Sequence, residues 1–239
     1  MTSTYQAEIS RITFPRIGQV TRLCDGTYDV GPLEGLGGPF DTAAEYFEAW
    51  ARHVEFPMGD DKIRACSGPA ADEILQSIAE FPARIGKLAS RLCARDAGPF
   101  PLIHPDFGHN NIIVDDEYNV LGVIDWEGAQ TVPWAAINFP LTLSAVPKAA
   151  DAPWCYDADG QPKDPKSRER AADRVRYVAA VREAERKAGS PTPLADCLGD
   201  PKVQDVAAAM HLFNDGKVGF FTKVLDQHYP DSSAKSLPP

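Results

Sequence analysis

Two short apolar runs separated by a polar turn constrain the fold of this chain more than any other feature. The runs are NIIV, which starts at Asn111, and NVLGVID, which ends at Asp125, and DDEY lies between them. This pattern is typical of a β-hairpin with a short loop. Residues equidistant from the centre of an antiparallel hairpin lie opposite each other, so Asn111 and Asp125 should meet at its open end. Because neither run alternates strictly, we expect the hairpin to be buried on both faces.

The stretch HPDFGHNN, directly before the hairpin, supplies polar groups to that open end. Its residues His104, Asp106 and Asn111 have the spacing H-x-D-x-x-x-x-N, which is that of a kinase catalytic loop. Phosphoryl transfer explains each residue type. One carboxylate orients an acceptor hydroxyl and accepts its proton, while an amide oxygen and a second carboxylate hold magnesium. The hairpin would therefore bring two metal ligands, Asn111 and Asp125, next to a base.

Residues 104–129, HPDFGHNNIIVDDEYNVLGVIDWEGA, resemble the catalytic core of the aminoglycoside phosphotransferase family, which has choline-kinase-like relatives. Fungal members of this group carry similar DFGHNN and VIDWE strings, and a GGPF lead into a helix like that at residues 37–40. The match is dense over residues 100–130 and extends plausibly over about residues 5–225. The resemblance implies a phosphotransferase that moves the γ-phosphoryl group of ATP to a hydroxyl of a small molecule, with magnesium as cofactor.

The same resemblance implies a role for each residue of the motif. Asp106 would be the catalytic base, and Asn111 and Asp125 would be the magnesium ligands. His104 would support the backbone of the loop rather than take part in the chemistry.

Family members also have an N-terminal lobe with a phosphate-covering loop and a lysine, and nothing upstream of His104 resembles either. Lys62 and Lys87 lie in helix-like or loop contexts. We therefore expect residues 1–239 to form a single α+β, mostly α-helical, kinase-like C-terminal lobe whose N-terminal lobe is missing. Its apolar seam should be covered by residues 1–40, by a partner chain or by self-association. A non-catalytic pseudokinase, a binding protein and a truncated remnant are the alternatives to an enzyme.

The segment after the hairpin is rich in proline and lacks periodicity. We expect residues 141–167 to be an irregular loop that lines the acceptor site, the alternative being a disordered loop. Glu127, Trp154, Tyr156 and Asp157 are candidates to hold a cationic acceptor through charge and face-on aromatic contacts. Residues 232–239 should form a disordered tail.

Local signals predict several further elements. Residues 4–12 suggest a short helix, Asp25-Gly26 suggests a hairpin turn, and Thr42 with Glu45 fits a capping box at a helix start. Pro82 should end one helix or begin the next. FPLI should be a short strand that leads into His104. The glycines at 31, 35, 37 and 38 indicate a connecting loop rather than a phosphate loop, because no Lys-Ser or Lys-Thr follows.

Two other metal sites are compatible with the residue types. His104, Asp106, His109 and Asp125 could form a transition-metal cluster of a hydrolase, although no second histidine pair lies nearby. The string from Asp157 to Gly160 suggests a calcium loop but lacks the later carboxylates, so we interpret it as an exposed turn.

Composition excludes some partners. The formal net charge is −10 and the pI is near 4.9, which argues against nucleic acid and anionic membranes as partners. The five cysteines are scattered and form no C-x-x-C pair, as expected for reduced thiols. No signal-peptide pattern or long apolar run is present, so we expect a cytoplasmic protein. The family resemblance implies ATP and a small-molecule acceptor as its partners.

Overall fold

The computed structural model describes residues 2–189 and 192–230, which form a mixed α/β fold. The α-helices are α1 (Thr2–Ser10), α2 (Ala43–His53), α3 (Asp60–Ser67), α4 (Ala71–Leu92), α5 (Pro165–Lys187), α6 (Leu194–Gly199), α7 (Pro201–Asn214) and α8 (Phe221–His228). The strands are β1 (Thr13–Phe14), β2 (Gln19–Arg22), β3 (Tyr28–Gly31), β4 (Phe100–Ile103), β5 (Ile112–Val114), β6 (Val120–Val123) and β7 (Gln130–Thr131). A five-stranded antiparallel sheet with the order β1-β4-β7-β2-β3 was not anticipated.

The pairing of β4 with β7 closes the base of the segment that carries the predicted site. Leu102 lies opposite Thr131 and Ile103 lies opposite Gln130, so residues 104–129 leave the sheet and return to it at adjacent strands. Within that segment β5 and β6 form a separate two-stranded hairpin. The predicted strand FPLI and the predicted hairpin are both confirmed.

The predicted burial of this hairpin on both faces is wrong. Tyr118 is 72% exposed and Leu121 is 68% exposed. Ile113, Val114 and Ile124 are also exposed. In the described structure no second layer covers the side chains on this part of the hairpin, so they stay exposed.

The first hairpin is confirmed, with β2 paired to β3 around the turn at Asp25-Gly26. Gly26 has φ of +88°, a conformation that glycine adopts without a steric cost. Downstream, the Leu33 N–H donates to the carbonyl of Gly37 at 2.8 Å. The glycine-rich stretch is therefore a tight turn between β3 and α2, as its interpretation as a connecting loop predicted.

Helix α4 contradicts the predicted break at Pro82, because it runs without interruption from Ala71 to Leu92. Proline inside a helix costs roughly 3 kcal/mol, since one backbone hydrogen bond is lost. Against this, α4 buries a stripe that includes Phe81 and Ile85, both 0% exposed. Each such side chain contributes about 1.5–3 kcal/mol on burial, so packing outweighs the proline.

The α4 stripe belongs to the main core. Phe81 packs against Trp50 of α2, Phe213 of α7 and Phe221 of α8, with ring centroids 5.3–5.9 Å apart.

The capping box at the start of α2 is confirmed. The Thr42 hydroxyl accepts a hydrogen bond from the Glu45 N–H, and the Glu45 carboxylate accepts one from the Thr42 N–H.

The segment 141–167 contains two 3₁₀ turns, Leu141–Leu143 and Pro153–Cys155, and the first residues of α5. The predicted tail at 232–239 lies outside the described residues. Among the residues that the structure describes, no helix combines the length and the apolar character needed to cross a membrane.

Thr131 anchors β7, and we predict that Thr131→Val destabilises the fold. The Thr131 side chain is fully buried, its hydroxyl donates to the Arg16 carbonyl at 2.8 Å, and it accepts from the Gly18 N–H at 2.9 Å. Valine keeps the shape but leaves two buried main-chain groups unpaired, which should cost about 1–3 kcal/mol in urea unfolding. Thr131→Ser should recover most of this loss, and Thr21→Val, at an exposed position of β2, should have little effect. Equal stability of Thr131→Val and the parent would contradict this role.

Candidate active site

His104 links the start of the loop to the end of the hairpin. It follows β4 directly and is 6% exposed. Its Nδ1 accepts a hydrogen bond from the Asp106 N–H at 3.1 Å, and its Nε2 lies 2.8 Å from the Ile124 carbonyl oxygen. Because Nδ1 is the acceptor, the proton of the neutral ring lies on Nε2 and is donated to Ile124. Both ring nitrogens are thus occupied by main-chain groups.

Trp126 supports the His104 ring from the far side of the hairpin. The two rings meet edge to face, with centroids 4.9 Å apart. The Trp126 indole N–H donates to the Val123 carbonyl at 2.9 Å, which closes the turn that follows β6. The sequence pattern did not predict this contact, although Trp126 lies within the VIDWE string that carries the family resemblance.

Asn111 connects the predicted base to the predicted metal ligands. Its side chain is buried, and its Nδ2 donates to the main-chain oxygen of Asp106 at 2.9 Å and to Asp106 Oδ2 at 3.0 Å. Its own carbonyl accepts from the Ile124 N–H at 3.0 Å, immediately before Asp125. Because Nδ2 makes both side-chain bonds, Oδ1 is left as the acceptor oxygen of the amide.

Asp125 has an unusual backbone. Its φ is +64°, the left-handed region that non-glycine residues seldom occupy. Such a conformation costs on the order of 1 kcal/mol and persists where surrounding contacts impose it. Asp125 lies two residues after the end of β6, and it is exposed. Asp106 is exposed as well.

The four residues proposed for acceptor binding do not join this group in the described structure. Glu127 is exposed in the turn after Trp126. Tyr156 donates to Asp151 at 3.2 Å and has Lys148 over its ring, 5.3 Å from the centroid. Burial, and then the nearby Asp151 carboxylate, raise the pKa of Tyr156.

The remaining two of the four lie at the surface. Trp154 is exposed. Asp157 accepts from the N–H groups of Asp159 and Gln161, which makes the 157–160 string a surface turn, as predicted.

The transition-metal alternative finds no support. Both nitrogens of His104 are engaged with the backbone. Across residues 2–189 and 192–230, no three histidine, cysteine, aspartate or glutamate side chains come close enough to share a metal ion.

Comparison with known proteins identifies the region that contains these residues. A family model described as "Phosphotransferase enzyme family" (APH) matches residues 8–136. That is more than half of the 239 residues, and it includes the sheet, the loop and the hairpin. Helices α5 to α8 lie outside the matched range. No curated protein and no solved structure matches the chain.

We predict that His104→Phe loosens the loop without unfolding the protein. Phenylalanine keeps a ring against Trp126 but cannot accept from the Asp106 N–H or donate to Ile124. Two lost hydrogen bonds of about 1 kcal/mol each correspond to faster opening by roughly tenfold or more. Hydrogen exchange measured by mass spectrometry should show this increase in peptides covering 104–111, with none in α4. His53→Phe, at the exposed end of α2, is the control. Unchanged exchange in 104–111 would show that His104 does not hold the loop.

Proposed function

The chain belongs to the phosphotransferase enzyme family, and from that premise we propose that it transfers the γ-phosphoryl group of ATP to a hydroxyl of a small molecule, with magnesium. The observation that carries the proposal is the hydrogen bond from Asn111 Nδ2 to Asp106 Oδ2 at 3.0 Å. It holds the carboxylate that would act as base beside the amide that would hold the metal. Phosphoryl transfer needs this kind of fixed placement more than covalent chemistry by the protein.

Asp106 is suited to orient an acceptor hydroxyl. Its carboxylate is exposed, so a substrate can reach it, while Asn111 restrains it from one side. His104 restrains its backbone from the other side. An acceptor hydroxyl that donates to the free part of this carboxylate would be aligned for attack and could release its proton there.

The residues fit magnesium. Asn111 Oδ1 and the Asp125 carboxylate are oxygen donors, which a hard cation prefers. When bound, magnesium would neutralise charge on the nucleotide phosphates. The backbone contacts at Ile124 supply the fixed separation between the two donors, since its N–H bonds to Asn111 and its carbonyl to His104.

The exposed apolar face of the β5–β6 hairpin supports assignment of the chain as a kinase-like C-terminal lobe. Leu121 and Ile113 are large, exposed apolar side chains of this hairpin, which lies between the proposed metal ligands in the sequence. Residues 2–40 do not cover these side chains. Of the three ways predicted for covering the apolar seam, coverage by the first forty residues is therefore the one that this exposure disfavours. A partner chain, a second copy or the adenine of the nucleotide would each bury this face.

For the acceptor we propose a small cationic hydroxyl compound that approaches Asp106 between Glu127 and residues 141–167. Lys148 already occupies the ring of Tyr156, so Trp154 is the aromatic face available to a cation. Asp157 would contribute through charge alone, because its Oδ1 accepts from two backbone N–H groups. We also propose that the chain is related to the choline-kinase-like and fungal members of the family and that it is cytoplasmic.

A non-catalytic binding protein is the second candidate. The observation in its favour is that no strand of the described sheet carries a lysine. Lys62 lies on α3 and Lys87 on α4 instead. A family member that kept the loop but cannot grip a nucleotide would bind the acceptor without transferring a phosphoryl group.

We predict that Asp106→Asn lowers turnover by about 10²–10⁴-fold, the usual contribution of a positioned acid–base group. The measurement is transfer of the labelled γ-phosphoryl group from Mg·ATP to any acceptor that the parent uses. Activity within a few-fold of the parent would remove Asp106 from this role.

Asp125→Ala provides the matched comparison for Asp106→Asn. It should raise the magnesium concentration needed for half-maximal turnover, whereas Asp106→Asn should leave that concentration unchanged. An unchanged magnesium requirement in Asp125→Ala would contradict its assignment as a ligand.

We also predict that the purified chain binds Mg·ATP only at millimolar concentration or more weakly. Each 1.4 kcal/mol of lost contact weakens binding about tenfold, and a covering loop, a lysine and an adenine pocket are each worth at least that. Isothermal titration calorimetry measures this directly. Low-micromolar binding would show that residues 2–40 build a nucleotide site, and would exclude the non-catalytic alternative based on lysine position.

A further inference from the structure

A cavity of about 200 Å³ lies behind the loop that contains Asp106. His104, Pro105 and Phe107 of the loop line it, as do Arg174 of α5 and Gln204 of α7. Asp106 itself is not among the lining residues and is exposed. The cavity therefore does not include the Asp106 carboxylate, although it shares the loop and part of residues 141–145 with the surroundings of the proposed acceptor site.

Gln204 is one of the residues that line this cavity, and its side chain carries an unpaired polar atom. Its side chain is 3% exposed, and its Nε2 donates to the Ile137 carbonyl at 2.9 Å and to the Cys197 carbonyl at 3.1 Å. Its Oε1 is buried and has no hydrogen-bond partner. A buried acceptor left unpaired destabilises the protein, and a ligand with an O–H or N–H donor would satisfy it.

Arg174 also lines the cavity, and its guanidinium has no ion-pair partner among the described residues. The guanidinium lies 4.1 Å from the ring centroid of Phe139, and no carboxylate in residues 2–189 or 192–230 forms an ion pair with it. Burial lowers the pKa of Arg174, against an opposing effect of the Asp205 charge. The Asp205 carboxylate is engaged by His228 at 2.8 Å. An anionic ligand group would offset the desolvation of this guanidinium and match its planar fork of donors.

We propose that this cavity binds a small hydroxycarboxylic acid, whose carboxylate pairs with Arg174 and whose hydroxyl donates to Gln204 Oε1. The remaining wall is mixed polar and apolar, and Ile137, Ala207 and Met210 are available to the carbon skeleton. A cavity of about 150 Å³ accommodates benzene, so 200 Å³ suits a ligand a few atoms larger. This site is additional to the proposed transfer reaction and does not depend on it.

The bound acid would act on the loop from behind. It would contact the wall formed by His104 and Phe107, and the Phe107 carbonyl accepts from the Leu141 N–H at 3.1 Å. Occupancy would therefore restrict movement of the segment that positions Asp106, without a contact to the Asp106 carboxylate.

Isothermal titration calorimetry of the full chain with two hydroxy acids, 3-hydroxybutyrate and 4-hydroxybenzoate, tests the proposal. At least one should bind the parent. The uncharged 4-hydroxybenzamide and the hydroxyl-free benzoate should each bind at least about tenfold more weakly than 4-hydroxybenzoate if that is the acid bound. For 3-hydroxybutyrate the corresponding comparisons are 3-hydroxybutyramide and butyrate.

Arg174→Met tests the cation separately, because methionine keeps an apolar stem and removes the charge. It should weaken binding of the acid by at least about tenfold. Arg176→Met is the control, since Arg176 is exposed on the same helix and pairs with Asp173 at the surface. Circular dichroism establishes that both variants are folded, and the acid-against-amide comparison in the parent stands if Arg174→Met is not. No binding of either acid by the parent, equal binding of acid and amide, or equal binding by folded Arg174→Met would each overturn the proposal.

Discussion

One imidazole ring holds together the two chain segments from which the candidate active site is built. His104 accepts from the Asp106 N–H and donates to the Ile124 carbonyl, so the loop and the end of β6 share a single rigid connector. Each bond contributes only about 1 kcal/mol net, but breaking it inside the protein leaves a main-chain group without a partner, which costs more. The geometry of Asp106 and Asn111 relative to Asp125 depends on this ring, and Trp126 keeps the ring in place.

The strain at Asp125 is explained by the contacts of its neighbour. Ile124 is fixed through both of its main-chain groups, since its N–H donates to Asn111 and its carbonyl accepts from His104. The strand cannot continue past that point, and the next residue takes the turn at φ +64°. Aspartate tolerates this conformation better than most residues with a side chain. The same contacts that position Asn111 therefore impose the conformation that projects the second carboxylate.

Local sequence signals predicted the parts of the fold that local forces determine. The hairpin, the strand before His104 and the capping box at Thr42 all depend on residues within a few positions of one another. The predicted register of the hairpin is wrong by one residue, because Ile112 pairs with Val123 and Ile124 rather than Asp125 therefore lies opposite Asn111. Long-range packing determined the rest. β1 and β7 are two residues long and show no periodicity, Pro82 is tolerated because α4 is buried along its length, and the outer face of the hairpin stays exposed because no layer covers it. In the site, spacing predicted that Asp106 and Asn111 act together, whereas the cavity depends on Arg174 and Gln204, far from the loop in sequence.

The short segment from Ile137 to Leu141 gives the C-terminal helices a mechanical connection to the loop. The Ile137 carbonyl accepts from Gln204 of α7, Phe139 lies under Arg174 of α5, and the Leu141 N–H donates to Phe107. These contacts lie just beyond the residues that match the family model, which end at 136. Because α5 and α7 contact the loop through one short stretch, a small displacement of either helix would shift Phe107 and, through it, Asp106. The half of the chain that matches the family model contains the residues proposed to react, and the remainder adds contacts behind the loop that carries Asp106.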